Sequence, residues 1–264
     1  MFGMLAGAWH YRHFIVSSIK NEFQSRFARS RLGGLWMVIH PLAHVAIFAF
    51  VLSAVLSAKL PGIDNPHAYA LYLMAGMLAW SLFSELVSRS MTVFVENGNL
   101  LKKMMFPRIC LPLIVSGSAL VSNLLLLVAI LMVFALLGHQ PGWTLLWLPV
   151  LIGLNVALGM GLGLTLGVFH VFVRDFGQIV PIVLQFWFWL TPIVYMPTII
   201  PEAYRTWLAL NPMAPLVKSY QNVLVFGVQP EWPALIGMAL LALVLLVFAL
   251  FLFRKASPEL VDML

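Results

Sequence analysis

The chain has 264 residues, 62% of them hydrophobic and 9% charged, with a formal net charge of +6. A soluble domain carries roughly 25% charged residues, so this composition cannot coat a water-soluble globule and excludes a soluble catalytic domain. The single cysteine, Cys110, excludes an internal disulfide framework, and the basic excess fits topology and anionic lipid better than nucleic acid, because no soluble face interleaves rings with cations.

Between Trp9 and Arg31, Ile15, Ile19, Phe23 and Phe27 recur every four residues while Arg12, Lys20, Arg26 and Arg29 lie mostly off that line. That spacing predicts an amphipathic helix along the membrane surface. These residues lack a short apolar core followed by small residues, so no cleaved signal peptide is expected and the first span serves as the insertion signal. Gly33 and Gly34 break the helix and let the chain turn inward at Leu35 and Trp36.

Apolar stretches follow at about 35–58, 68–94, 112–137, 145–173, 176–196 and 232–253. Each can cross a hydrocarbon core of ~30 Å, which takes roughly 20 helical residues. In the first, His40 and His44 stand one turn apart around Pro41; with no obvious third ligand, packing or pore lining is expected over a metal. In the second, Ser81, Ser84, Glu85, Ser88, Arg89 and Thr92 gather on one side, and Glu85 and Arg89 have the spacing of a helical ion pair. Ionisable groups at membrane depth face protein or a watery route, so both a structural pair and a path are open.

The fourth stretch repeats Gly159, Gly163 and Gly167 beside Gly153, Ala157 and Gly161, a surface for close helix approach. No Gly-Lys-Ser/Thr follows, so the phosphate loop of ATPases is absent. The fifth ends in Gln185, Phe186, Trp187, Phe188, Trp189, Thr191, Pro192 and Tyr195; such rings serve an interfacial belt or pack against the apolar faces of sugars. From Pro197 to Trp232 the chain is too broken for a span and too apolar for a solvated loop, which predicts short helices dipping into the outer leaflet under a protein cover.

Orientation follows the basic residues. Arg12, Lys20, Arg26, Arg29, Arg31, Arg89, Lys102, Lys103, Arg108, Arg174, Arg254 and Lys255 fall on one side, against Lys59, Arg205 and Lys218 on the other. The first set is expected in the cytoplasm, with both termini. The predicted fold is an all-α integral membrane domain over 1–264: six transmembrane helices, a cytoplasmic interfacial helix at 1–31, a cytoplasmic segment at 96–108 and a re-entrant region at 197–231.

Four places carry a family likeness: Ser30 to Trp36 with Pro41; Asn97 and Asn99 to Lys103 followed by Phe106, Pro107 and Arg108; Arg174 with Asp175; and Asn211, Pro212 and Met213. In this order the chain resembles the membrane subunit of bacterial ABC exporters of lipid-linked polysaccharides, the Wzm-like permeases of O-antigen export. The resemblance implies a homodimer in the inner membrane. It also implies two copies of a cytoplasmic ATPase that bind the ATP and Mg, leaving no cofactor on this chain. It further implies that Asn99, Lys102, Lys103, Phe106, Pro107 and Arg108 form a gate helix touching that ATPase. Gln221 departs from the pattern, since many relatives carry an arginine there.

On this reading a glycan slides along Ser84, Ser88, Phe169, Phe172, Phe186, Trp189 and Tyr195, while Arg26, Arg29 and Arg31 attract the lipid diphosphate. The rivals are an exporter of a small drug or lipid on the same architecture, and an intramembrane enzyme. The latter would need a reactive pair such as Ser118 and His170.

Overall fold

A computed structural model describes residues 9–27, 35–49, 67–103, 107–197, 201, 210–257, 259 and 263. Among them the chain is all helix, with no strand. In order the helices are α1 (Arg12–Phe27), α2 (Trp36–Ala49), α3 (Ala68–Glu96), α4 (Gly98–Lys103), α5 (Cys110–Leu136), α6 (Leu148–Phe172), α7 (Phe176–Leu190), α8 (Met213–Gln221) and α9 (Trp232–Ala256). A 3-10 turn, Trp143–Trp147, leads into α6, and a π turn, Asn222–Phe226, extends α8.

Among the described residues four helices have the length and apolarity of membrane spans: α3, α5, α6 with its leading turn, and α9. The fifth expected stretch forms a helix only over 15 residues, Phe176–Leu190. Thr191 is extended and Pro192 offers no N–H, so the helical ladder stops there. The first expected stretch is helical over Trp36–Ala49; its remainder to residue 58 lies outside the described residues.

Helix α3 is the axis of the molecule. Its apolar window is 78% buried, against 22% for α9, although its mean hydropathy of 1.5 is half the 3.1 of α9. The inversion has a physical cause. A helix facing lipid must be apolar all round, whereas one enclosed by other helices can carry serines and charges that bond within the protein.

In hydrocarbon, helices gain little from burying apolar surface and hold together by close contact. The glycine row supplies it. A Cβ on Gly163 would lie 2.9 Å from the Leu86 carbonyl and from Ser90 Cβ, and one on Gly159 would lie 2.9 Å from Leu86 Cβ. Gly161, on another face of α6, meets the α9 backbone at Leu246 N, 2.8 Å away. Helix α6 is thus sandwiched between α3 and α9, while Gly153 has open space beside it. Buried amides fasten the same axis: Asn123 of α5 donates to the Leu78 carbonyl at 3.0 Å, and Asn155 of α6 to that of Ala79 at 2.8 Å.

The ends of the helices sort into two sets. Val93 and Phe94 of α3, Leu111 and Val115 of α5, Val168 and Val171 of α6 and Phe253 of α9 share one cluster. At the opposite end, Leu71 to Leu78 of α3 meet Leu216, Val217, Tyr220 and Val223. There α5 leaves through Gly138, whose φ of +74° lets His139 N bond back to the Phe134 carbonyl, and His139 Nε2 pairs with the Leu224 carbonyl at 2.8 Å. The segment from Met213 to Phe226 is therefore a packed lid over the end of α3, not a solvated loop.

Helix α1 packs on α5, where Ile19 fills the space a Cβ on Gly117 would need. Phe14, Ile15 and Ile19 are half-buried, yet Val16 is 66% exposed. The apolar face is narrower than the four-residue spacing suggests, and the side chains of Phe23 and Phe27 lie outside the described residues.

Candidate functional site

A cavity of about 670 Å³ opens between α2, α3, α5 and α7. Helix α3 contributes Ser81, Ser84, Glu85 and Ser88 to it, consecutive positions of one helical face. Trp80 of α3 joins them, with the rings of Trp36, Phe188 and Trp189 from the neighbouring helices, and His40 and His44 of α2 add two imidazoles with ring centroids 4.7 Å apart. Hydroxyls, imidazoles, the Asn123 and Gln185 amides and flat aromatic faces thus line one space inside an otherwise apolar bundle. Among the described residues no group of three His, Cys, Asp or Glu side chains could hold a metal.

Below this cavity the charges are organised. Arg89 donates to Glu85 Oε1 at 3.0 Å, one turn back on α3, and also to Glu22 of α1. Glu85 lines the large cavity, whereas Arg89 and Glu22 line a second one of about 360 Å³ between α1, α3, α4 and α5. The ion pair stands between the two, and it ties α1 to the central helix. The second cavity is also lined by the polar Ser18, Glu96 and Asn97 and the apolar Phe14, Leu100 and Ile114.

Beyond α3 the chain makes one turn and a short helix. The side chain of Asn97 donates to the Val93 carbonyl at 2.8 Å, capping α3, and the Asn97 backbone carbonyl accepts from Leu100 N at 3.0 Å to start α4. Asn99 and Lys102 are exposed on this helix. Arg108 is turned inward, with Nη1 donating to Ser257 Oγ at 2.9 Å beyond the end of α9. Arg174, Arg254 and Lys255 are exposed at the helix ends that share this side of the molecule.

Residues 14–225 match the family model described as ABC-2 type transporter, across far more than half of the chain. The chain belongs to the ABC-2 type transporter family. An ABC-2 type transporter of this kind is a membrane subunit and not an enzyme; ATP hydrolysis resides on a partner ATPase. The subunit is 28% identical over 261 residues, 98% of each chain, to the O-antigen export system permease protein RfbA of Myxococcus xanthus. It is 26% identical over 218 residues, 81% of each chain, to an RfbA of Klebsiella pneumoniae. To the polysialic acid transport protein KpsM of Escherichia coli it is 26% identical over 238 residues, 88% of this chain and 89% of that one.

Within this ABC-2 subunit the expected path residues divide. Ser84, Ser88 and Trp189 line the large cavity. Phe186, Phe169 and Phe172 point away from it, 68%, 41% and 39% exposed, with Phe169 stacked on Phe176 at 6.0 Å. Tyr195 is partly buried beyond the end of α7, its carbonyl accepting from Tyr72 Oη at 3.2 Å. Of the expected diphosphate-binding arginines, Arg29 and Arg31 lie outside the described residues, as does the side chain of Arg26. The same holds for Phe106 and the side chain of Lys103 in the gate segment.

Ser118 and His170 are not joined: the Ser118 carbonyl accepts from Ser122, while the His170 ring lies against Gly177 and its Nδ1 is without a partner. Sequence reasoning missed Trp36, Trp80, Asn123 and Gln185 as cavity residues, and Glu22 as a partner of Arg89. Sixty-seven positions separate Glu22 from Arg89, and no local spacing signals such a pair.

Proposed function

We propose that this chain is the permease subunit of an ATP-driven exporter that moves lipid-linked polysaccharide of the O-antigen type across the bacterial inner membrane. The observation that carries the reading is the large cavity, in a chain alike over nearly its whole length to permeases named for O-antigen export. A glycan is too polar to cross hydrocarbon and too long for a closed pocket. Hydroxyls and amides replace its lost water, and ring faces pack on its C–H faces, so it slides without a deep binding minimum.

In this proposal the subunit pairs with a second copy, and each copy completes six spans with both termini in the cytoplasm. The segment from Met213 to Phe226 belongs to a re-entrant cover at the outer leaflet. Closure of the ATPase pair pushes on residues 96–108 and on α1, and the Glu22–Arg89 contact carries that push to the cavity-lining face of α3. Ser84, Ser88 and Trp189 contact the passing sugar, and the remaining rings of the expected path face the second copy or lipid.

The test is deletion of the gene followed by analysis of lipid-linked glycans. Finished polymer is expected to accumulate inside the cell, and normal surface polysaccharide overturns the assignment. Purified with its partner, the complex is expected to hydrolyse ATP faster with lipid-linked glycan and not with hydrophobic drugs.

A further inference from the structure

The side chain of Asn211 ties the chain that leaves α7 to the chain that enters α8. Asn211 uses all four of its hydrogen-bonding positions. Its Oδ1 accepts from Trp187 Nε1 at 2.8 Å and from Met213 N at 3.0 Å; its Nδ2 donates to the Leu190 carbonyl at 3.2 Å and to Thr191 Oγ1 at 3.0 Å. Thr191 Oγ1 gives its own proton to the Trp187 carbonyl at 2.8 Å, so toward Asn211 it only accepts.

One of these bonds, to Met213 N, is an ordinary Asx turn into α8. The other three reach back to the end of α7, where the last carbonyls of a helix have no partner of their own. The ring that Asn211 holds is packed in turn: Trp187 lies edge-on to Phe83 at 5.1 Å and to Trp80 at 6.5 Å. Trp80, with Phe188 and Trp189, forms the aromatic wall of the large cavity.

We propose that Asn211 is a positioning residue for transport: it locks the exit of α7 onto α8 and, through Trp187, sets the aromatic wall and the grip on the passing glycan. The grip rests on the polysaccharide reading above; the lock does not.

The discriminating substitution is Asn211→Asp. Aspartate keeps an acceptor for Met213 N and Trp187 Nε1, but it sets an oxygen against the Leu190 carbonyl and takes the donor away from Thr191 Oγ1. A residue that only caps α8 tolerates this, and a lock does not. In the complex with its ATPase in nanodiscs, Asn211→Asp is expected to raise hydrogen exchange at residues 188–193 about tenfold while residues 214–221 stay as in wild type. The lipid-linked glycan concentration for half-maximal ATPase stimulation is expected to rise about three- to tenfold, with basal hydrolysis unchanged.

Trp187→Phe should raise the half-saturation as well, and the double variant should match the larger single effect, as coupled positions do. Unchanged exchange at 188–193 overturns the lock. Raised exchange with unchanged half-saturation in both variants overturns its link to the wall. Should Asn211→Asp fail to assemble, Thr191→Val removes the acceptor and permits the same exchange comparison. A wild-type complex that ignores the glycan sinks the polysaccharide reading, and the exchange result then decides the lock alone.

Discussion

Two glycines of α6, about three helical turns apart, show how residue identity acts here. A methyl group at Gly163 would strike α3 backbone and Ser90 at 2.9 Å, whereas Gly153, on the same helix, has nothing within 4 Å. Gly163→Ala is therefore expected to destabilise the subunit by about 1–3 kcal/mol through helix separation. Gly153→Ala should raise stability by up to about 1 kcal/mol, because it removes backbone entropy at no steric cost. Thermal melting in detergent checks both, and equal effects would contradict the packing. The row itself was legible in the sequence, but which members touch a neighbour was not. At Arg89 the same limit holds: Glu85 is readable from its spacing of four, while Glu22 arrives only through the docking of α1.

At the scale of elements, the segment after α3 separates cations that look equivalent in sequence. Lys102 is exposed on α4, whereas Arg108 bonds Ser257 and braces α9. Lys102→Glu is expected to weaken capture of the ATPase in a pull-down about tenfold, the effect of reversing one charge at an interface, while leaving the melting temperature unchanged. Arg108→Glu should lower the melting temperature first; retention of full ATPase capture by Lys102→Glu would count against contact there. Helix α7 makes a related point. Its stretch read as apolar to residue 196, but the helix ends at Leu190, and the chain beyond is held by side chains. Tyr72 donates to the Pro192 carbonyl at 3.2 Å and Gln221 Nε2 to the same oxygen at 3.2 Å. Gln221 thus has a structural task, buried beside Gly76.

For the whole molecule, alternation of helix ends turns the charge distribution into a topology. The ends carrying Arg108, Arg254 and Lys255 lie together, and the Lys218–Glu231 pair at 2.6 Å lies at the other end, near the start of α9. If the basic end is cytoplasmic, cysteine at Glu231 is expected to react with a membrane-impermeant maleimide in intact cells, and cysteine at Lys255 only after permeabilisation. Native Cys110 is buried and should stay silent. The reverse pattern would invert the orientation.

Sequence alone determined the solvent of this protein, its helical class, its close-packing glycines and its family, because each is written in composition, local spacing or short motifs. Partition between water and hydrocarbon is a property of a window of about 20 residues, and no tertiary contact is required to evaluate it. Which face of each helix turns inward was decided by the tertiary structure. Phe186 is 68% exposed and Phe188, two residues on, lines the cavity, although both are equally at home in lipid and in a protein interior. Where the surrounding solvent is as apolar as the core, hydropathy no longer distinguishes outside from inside, and only the fit of one helix on another does.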